Sequence, residues 1–189
     1  YVSWDWKANG AGSANSDGNV ATTVSANTTA GFSIVSYTGD GGATATFGHG
    51  LGAIPKMILL KKRNGTTDWV VYHEEITYAN RLKLNTTDAS ASSPNWRATP
   101  TSSVFNSNGS DIINNSGDTY VAYCFAEKRG YSSFGTYTGN GNADGPFIYT
   151  GFKPAFVLMK RYGSTGNWVI QDNRRSQADP GNPANRDLN

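Results

Sequence analysis

The sequence predicts an all-β protein: an antiparallel β-sandwich of jelly-roll or lectin-like type, built from tandem related modules. Three observations lead there. Short runs of aromatic and β-branched residues recur along the chain. Gly, Asn, Ser and Thr crowd the segments between them. Ordered strings return at a near-constant spacing. Residues that fit a pleated, half-buried surface thus alternate with residues that supply turns, the pattern of many short strands.

The strands follow in order. Phe32-Ser33-Ile34-Val35-Ser36-Tyr37 is the first full run. Met57 to Leu60 is a continuous apolar run of strand length, and Pro55 just ahead of it suits a strand start. Asn64-Gly65-Thr66-Thr67 separates that run from Trp69-Val70-Val71-Tyr72, which reads as a β-hairpin. Arg81 to Leu84 alternates, as does Asp118 to Ala126. Glu74 to Leu84 is the one stretch with room for a helical turn. Ala8 to Gly31 is rich in Gly, Ser, Asn and Thr and poor in apolar residues, so it reads as a flexible connection.

The repeat is visible in the residues. Tyr37-Thr38-Gly39-Asp40-Gly41 returns as Tyr137-Thr138-Gly139-Asn140-Gly141, and Phe47 returns as Phe147, at an offset of 100. The run from Pro55 to Lys62 faces Pro154 to Arg161, and Asp68-Trp69-Val70-Val71 faces Asn167-Trp168-Val169-Ile170, both at 99. One residue has been lost in the intervening turn. Tyr1-Val2-Ser3-Trp4-Asp5-Trp6 resembles Tyr120-Val121-Ala122-Tyr123-Cys124-Phe125 at an offset of 119. Duplication explains such ordered matches. The expected organisation is the end of a preceding module plus linker over 1–31, a complete module over 32–130, and the start of a related one over 131–189. The chain opens on Tyr1 in what reads as mid-strand, so a fragment or a processed product is expected.

Composition narrows the function classes. Aromatics reach 12% of the 189 residues, too many for a disordered chain. Charged residues are 16% and the net charge is +2, with Lys61-Lys62-Arg63 the densest basic run. A nucleic-acid partner would call for clustered cations, and none is expected. No stretch approaches the roughly 18 apolar residues of a membrane span. The single cysteine, Cys124, excludes an intrachain disulfide framework and sits in an apolar run, where a buried small hydrophobe is expected.

No catalytic set stands out. His49 lies in a Gly-rich turn and has no counterpart in the second copy, and His73 is matched by Asp172. Glu74 and Glu75 are adjacent, so on a strand they would point to opposite faces. Asn140-Gly141-Asn142-Ala143-Asp144-Gly145 loosely resembles an oxygen-ligand calcium loop but lacks the closing Glu, and turn-forming side chains account for it. No metal and no cofactor are expected. Trp69 and Trp168 occupy the same place in both copies, which argues for packing. Trp96, beside Arg97 in a polar loop, could stack on a sugar ring or cap the sandwich end. Trp96 and Arg97 are the candidate glycan-binding residues.

Several strings carry a resemblance: Ala30 to Gly39, Gly48-His49-Gly50-Leu51-Gly52 with Pro55 to Ile58, Asp68 to His73, Leu82 to Asn85, Asn115 to Cys124, and the Phe134–Asp172 segment. Over about 30–175 the chain resembles a domain of unknown function that is repeated in tail or tail-fibre-like structural proteins of marine bacteriophages. The resemblance implies a non-enzymatic virion appendage protein that contributes to host-surface attachment. Its partners would be other virion proteins or copies of itself in a homo-oligomer, with a host-surface glycan as a further ligand. Its location would be the virion, or otherwise extracellular. A carbohydrate-binding module of a secreted or surface protein is the alternative, and a glycan depolymerase fragment the third reading.

Overall fold

The computed structural model describes residues 3–93, 95–174 and 187–188. The chain is all-β with antiparallel sheets. It begins with β1 (Ser13–Asn15), β2 (Thr22–Asn27), β3 (Phe32–Thr38) and β4 (Thr46–Gly48). The predicted hairpin follows as β5 (Met57–Lys62) and β6 (Val70–His73), then β7 (Asn80–Lys83), β8 (Ala91–Ser92) and β9 (Val104–Asn106). The long alternating run is β10 (Thr119–Phe125). It is followed by β11 (Phe156–Lys160), β12 (Trp168–Asp172) and β13 (Asp187–Leu188). The helical turn expected after Glu74 is a single 3-10 turn, Glu74–Ile76.

The principal sheet has eight strands in the order β1-β2-β3-β10-β5-β6-β7-β8. Late in sequence, β10 inserts between β3 and β5 and runs antiparallel to both. Its period-two alternation organises the molecule. Tyr120, Ala122 and Cys124 are buried on one face, and Val121, Tyr123 and Phe125 turn to the other. Directly paired residues share a face, so Val35 and Leu60 flank Ala122, while Tyr37 stacks on Tyr120 with ring centroids 5.1 Å apart.

That first face is covered by the β4–β9 ribbon and the loops around it. Phe47, Leu51, Trp96, Phe105 and Ile113 pack onto Tyr37, Ile58, Leu60, Val70, Tyr72 and Tyr120. Each large side chain removed from water there contributes about 1.5–3 kcal/mol. The opposite face carries Met57, Val71 and Leu82, with Leu59 and Phe125 partly buried. Trp168, Leu158 and Phe134 close over them. The arrangement is sandwich-like, with the principal sheet between a ribbon layer and the small β11-β12-β13 sheet.

Two hairpins share one register. Met57 pairs with His73 and Leu60 with Val70; 99 residues later Phe156 pairs with Asp172 and Met159 with Val169. The flanking loops, 63–69 and 161–167, are equal in length. Outside the hairpin the two segments differ. Residues 133–155 form no strand, although they match the stretch that contains β3 and β4.

The segment expected to be a flexible linker belongs instead to the sheet. β2 pairs with β3 along its whole length, from Asn27 opposite Phe32 to Thr22 opposite Tyr37, and β1 pairs with β2. The expected boundary at 31/32 therefore falls inside a β-hairpin turn. The misreading has a physical cause. β2 buries Thr22 and Ser25 beside Val24, and the Thr22 hydroxyl donates to the Gly48 carbonyl at 3.1 Å. Hydrogen bonding lets a strand with little apolar content be buried. Residues 3–6, the described part of the strand expected over Tyr1 to Trp6, are not assigned to one. The end of the expected 131–189 segment, residues 175–186 and 189, lies outside the described residues.

Candidate functional site

Trp96 does not offer a sugar-stacking face. It is 3% exposed and packs edge-on against Tyr72 and Phe105, with centroids 5.8 and 6.4 Å away. The polar-looking loop is held inward by Asn106. Its Oδ1 accepts the Arg97 and Ala98 N–H groups, each at 2.8 Å, and its Nδ2 donates to the Ala98 carbonyl at 2.9 Å. This turns Trp96 into the core and leaves Arg97 exposed. The two candidate residues do not form a site together.

The structure brings together a different group. Thr66, Thr67 and Asp68 from the β5–β6 loop, Val70 of β6, and Arg81 and Lys83 of β7 line a crevice of about 180 Å³, with Ile112 beside them. Alternation along β7 places Arg81 and Lys83 on one side and Leu82 in the packed layer. Lys83 Nζ lies 3.0 Å from Asp68 Oδ2 and 3.5 Å from Asp88 Oδ2. Asp68 is held below the usual carboxylate pKa, first by the Asn85 amide that donates to it at 2.9 Å and then by Lys83. Arg81 Nη1 donates to Asn95 Oδ1 at 2.7 Å, and Thr67 Oγ1 is buried with no hydrogen-bond partner among the described residues. The space admits one small polar group. Two cations, a carboxylate and two hydroxyls can hydrogen-bond such a group. No nucleophile–base pair lines the crevice. The alternation of Arg81-Leu82-Lys83 was legible in the sequence; its meeting with Thr67 was not.

The residues best suited to proton or nucleophile chemistry are engaged by the fold. His49 is fully buried. Its Nδ1 accepts the Leu51 N–H at 3.2 Å, so the proton sits on Nε2, which faces the Thr101 carbonyl at 3.1 Å. Burial lowers its pKa. His73 Nδ1 accepts the Glu75 N–H at 3.3 Å, and Asp172 Oδ1 accepts the Arg174 N–H at 2.9 Å. The matched residues do the same job, closing the turn after the second hairpin strand. Cys124 is buried, and burial pushes its thiol pKa up to about 12. Such a thiol carries almost no thiolate at neutral pH.

The Asx-rich turns are occupied likewise. Asn142 N–H donates to Asn140 Oδ1, Asp144 N–H to Asn142 Oδ1, and Asp17 N–H to Asn15 Oδ1. In the basic run at the end of β5, Lys62 pairs with Asp118 and Lys61 donates to the Thr67 carbonyl. No described helix is long and apolar enough to cross a membrane.

Fold and sites together define an all-β, layered antiparallel domain in which His49 and His73 hydrogen-bond to the backbone and Cys124 is buried. Over residues 1–187 the chain matches the family described as Domain of unknown function (DUF7483), and it belongs to that family. No curated protein and no solved structure matches it.

Proposed function

We propose that this chain is a non-enzymatic structural module of a phage virion appendage, of the tail or tail-fibre kind, contributing to host-surface attachment. The observation that carries the reading is the use made of His49, His73 and Cys124. Both ring nitrogens of His49 are used by the fold, His73 Nδ1 closes a turn, and the Cys124 thiol is sealed in the core. The resemblance of the strings over about 30–175 to marine phage structural proteins supplies the virion context. The common register of the β5–β6 and β11–β12 hairpins supports tandem related modules. Partners on this reading are other virion proteins or further copies of the chain. Immunogold electron microscopy of purified particles tests it. Label on a tail or fibre is expected, and absence of the protein from particles sinks the proposal.

The carbohydrate-binding reading keeps one specific observation, the cation-lined crevice of Thr67, Arg81 and Lys83. A glycan array should then show binding that Arg81→Ala abolishes and Arg97→Ala leaves intact. Equal binding by Arg81→Ala and the parent chain would remove the crevice from consideration.

A further inference from the structure

We infer that the N-terminal segment is the missing fourth strand of the C-terminal sheet, seated in the same chain along the free edge of β11. In the principal sheet β5 has two neighbours, β6 and β10. Its counterpart β11 pairs with β12 and, among the described residues, with no strand on its other side. The vacant side is the one that β10 fills for β5. The segment whose sequence matches β10 is Tyr1–Trp6, with Trp4 and Trp6 in the places of Tyr123 and Phe125.

The structure sets Trp4 and Trp6 in the matching place. Phe125 pairs with Met57, and the counterparts of these two residues are Trp6 and Phe156. The Trp6 and Phe156 rings meet edge to face with centroids 5.4 Å apart, and Trp4 reaches Phe156 at 5.7 Å. An opposite pair and its diagonal neighbour are the contacts expected across adjacent antiparallel strands. Ser3 Oγ donates to Asp5 Oδ2 at 3.0 Å, which puts residues 3 and 5 on one side and leaves Trp4 and Trp6 on the other. Trp6 also meets Phe125 at 5.9 Å, which ties the segment to the end of β10 itself. Polar residues suit the opposite side. Ser3 and Asp5 stand where Ala122 and Cys124 face the ribbon layer, and around β11 Phe147, the counterpart of buried Phe47, is 91% exposed. This is strand addition, in which the main chain supplies affinity and alternate side chains the register. It does not depend on the virion reading.

The register pairs Asp5 with Val157, as Cys124 pairs with Ile58. The test is oxidative crosslinking of the 189-residue chain carrying Asp5→Cys and Val157→Cys, beside Asp5→Cys with Met159→Cys as the register control. Cys124 is retained because it is buried. The expected result is rapid crosslinking of the 5/157 pair within a monomer and little of the 5/159 pair. Crosslinked dimers would assign the edge to another copy and overturn the placement. Equal crosslinking of both pairs, or none, would overturn the strand itself. Hydrogen exchange gives an answer free of engineered thiols. Trp4→Ala with Trp6→Ala should speed exchange of the β11 amides by about tenfold or more while leaving β5 unchanged. Unaltered β11 protection in a chain of normal melting temperature would refute the inference.

Discussion

At the scale of single residues, burial decides what each side chain does, and burial is where local reading is weakest. Trp96 is the clearest case. Its neighbours Ser93, Asn95 and Arg97 are polar, yet the ring lies among Tyr72 and Phe105. Trp96→Ala should therefore cost about 3–5 kcal/mol in a denaturant titration, the cavity cost of a buried aromatic. A change under about 0.5 kcal/mol, usual for a surface site, would show the ring to be dispensable. Trp96→Phe should cost less than about 1.5 kcal/mol, because Trp96 Nε1 has no hydrogen-bond partner among the described residues. His49 behaves oppositely, since both ring nitrogens are used. His49→Leu would strand the Leu51 N–H and the Thr101 carbonyl, at about 1–3 kcal/mol for each buried group left unpaired. Urea melts would detect the loss, and an unchanged midpoint would contradict the assigned hydrogen bonds.

At the scale of elements, the repeated Tyr-Thr-Gly-Asx-Gly string shows how one sequence acquires two roles. In the first copy Gly39 donates to the Asp118 carbonyl at 2.8 Å and accepts from Gly117 at 2.9 Å. A Cβ on Gly39 would sit 2.3 Å from the Asn115 carbonyl oxygen. Asn114 clamps the same turn, donating to Asp40 Oδ1 at 2.8 Å and to the Gly42 carbonyl at 3.0 Å. In the second copy Gly139 has nothing within 4 Å of that position. Gly39→Ala should thus destabilise by about 1–3 kcal/mol, the range for forced overpacking, and Gly139→Ala by less than about 0.5 kcal/mol. Comparable melting temperatures for the two variants would show that the first turn is as open as the second. The aromatic residues of the two copies diverge in the same way. Tyr37 is 6% exposed and Tyr137 is 51%. The first copy has a ribbon layer over it, whereas residues 133–155 form no strand to build one.

At the scale of the whole molecule, ionisable groups converge on one pH response. Burial lowers His49 and His73 below their ordinary 6.5. Asp40 and Asp118 are held below 3.8, Asp40 first by the Asn114 amide and Asp118 first by the Lys62 ammonium. Each depressed pKa means that the unfolded chain binds more protons than the folded one, so stability falls as pH falls. The histidine contribution is present above 6.5 and is lost as pH drops toward the lowered folded values. The carboxylate contribution begins to go below 3.8. Lys62 and Lys83 are raised above 10.5, first by the hydrogen bonds they donate to Asp118 and Asp68 respectively, so their contribution is lost as pH climbs beyond that value. Urea melts across pH should show a plateau from about 7 to 9, a first decline below about 6.5, a steeper one below about 4, and a decline above about 9 as the Cys124 thiol ionises in the unfolded chain but not in the core. Stability that rises between pH 6.5 and 5 would contradict the histidine assignments.

Periodicity, turn chemistry and the repeated strings sufficed for the all-β class, the β5–β6 hairpin, the alternation of β10 and the presence of a second, related hairpin. A two-residue period states which side chains share a face before any partner is known. Which face meets a second layer depends on segments far away in sequence, and only the tertiary structure decided that. It put β10 between β3 and β5, drew the supposed linker into the sheet as β2, buried Trp96 and His49, and gathered Thr67 with Arg81 and Lys83. For β2 and the Trp96 loop, side-chain hydrogen bonds to backbone, from Thr22 to Gly48 and from Asn106 to Ala98, let a segment with little apolar content leave water. Hydropathy measures transfer of a residue alone, and so it could not register that compensation.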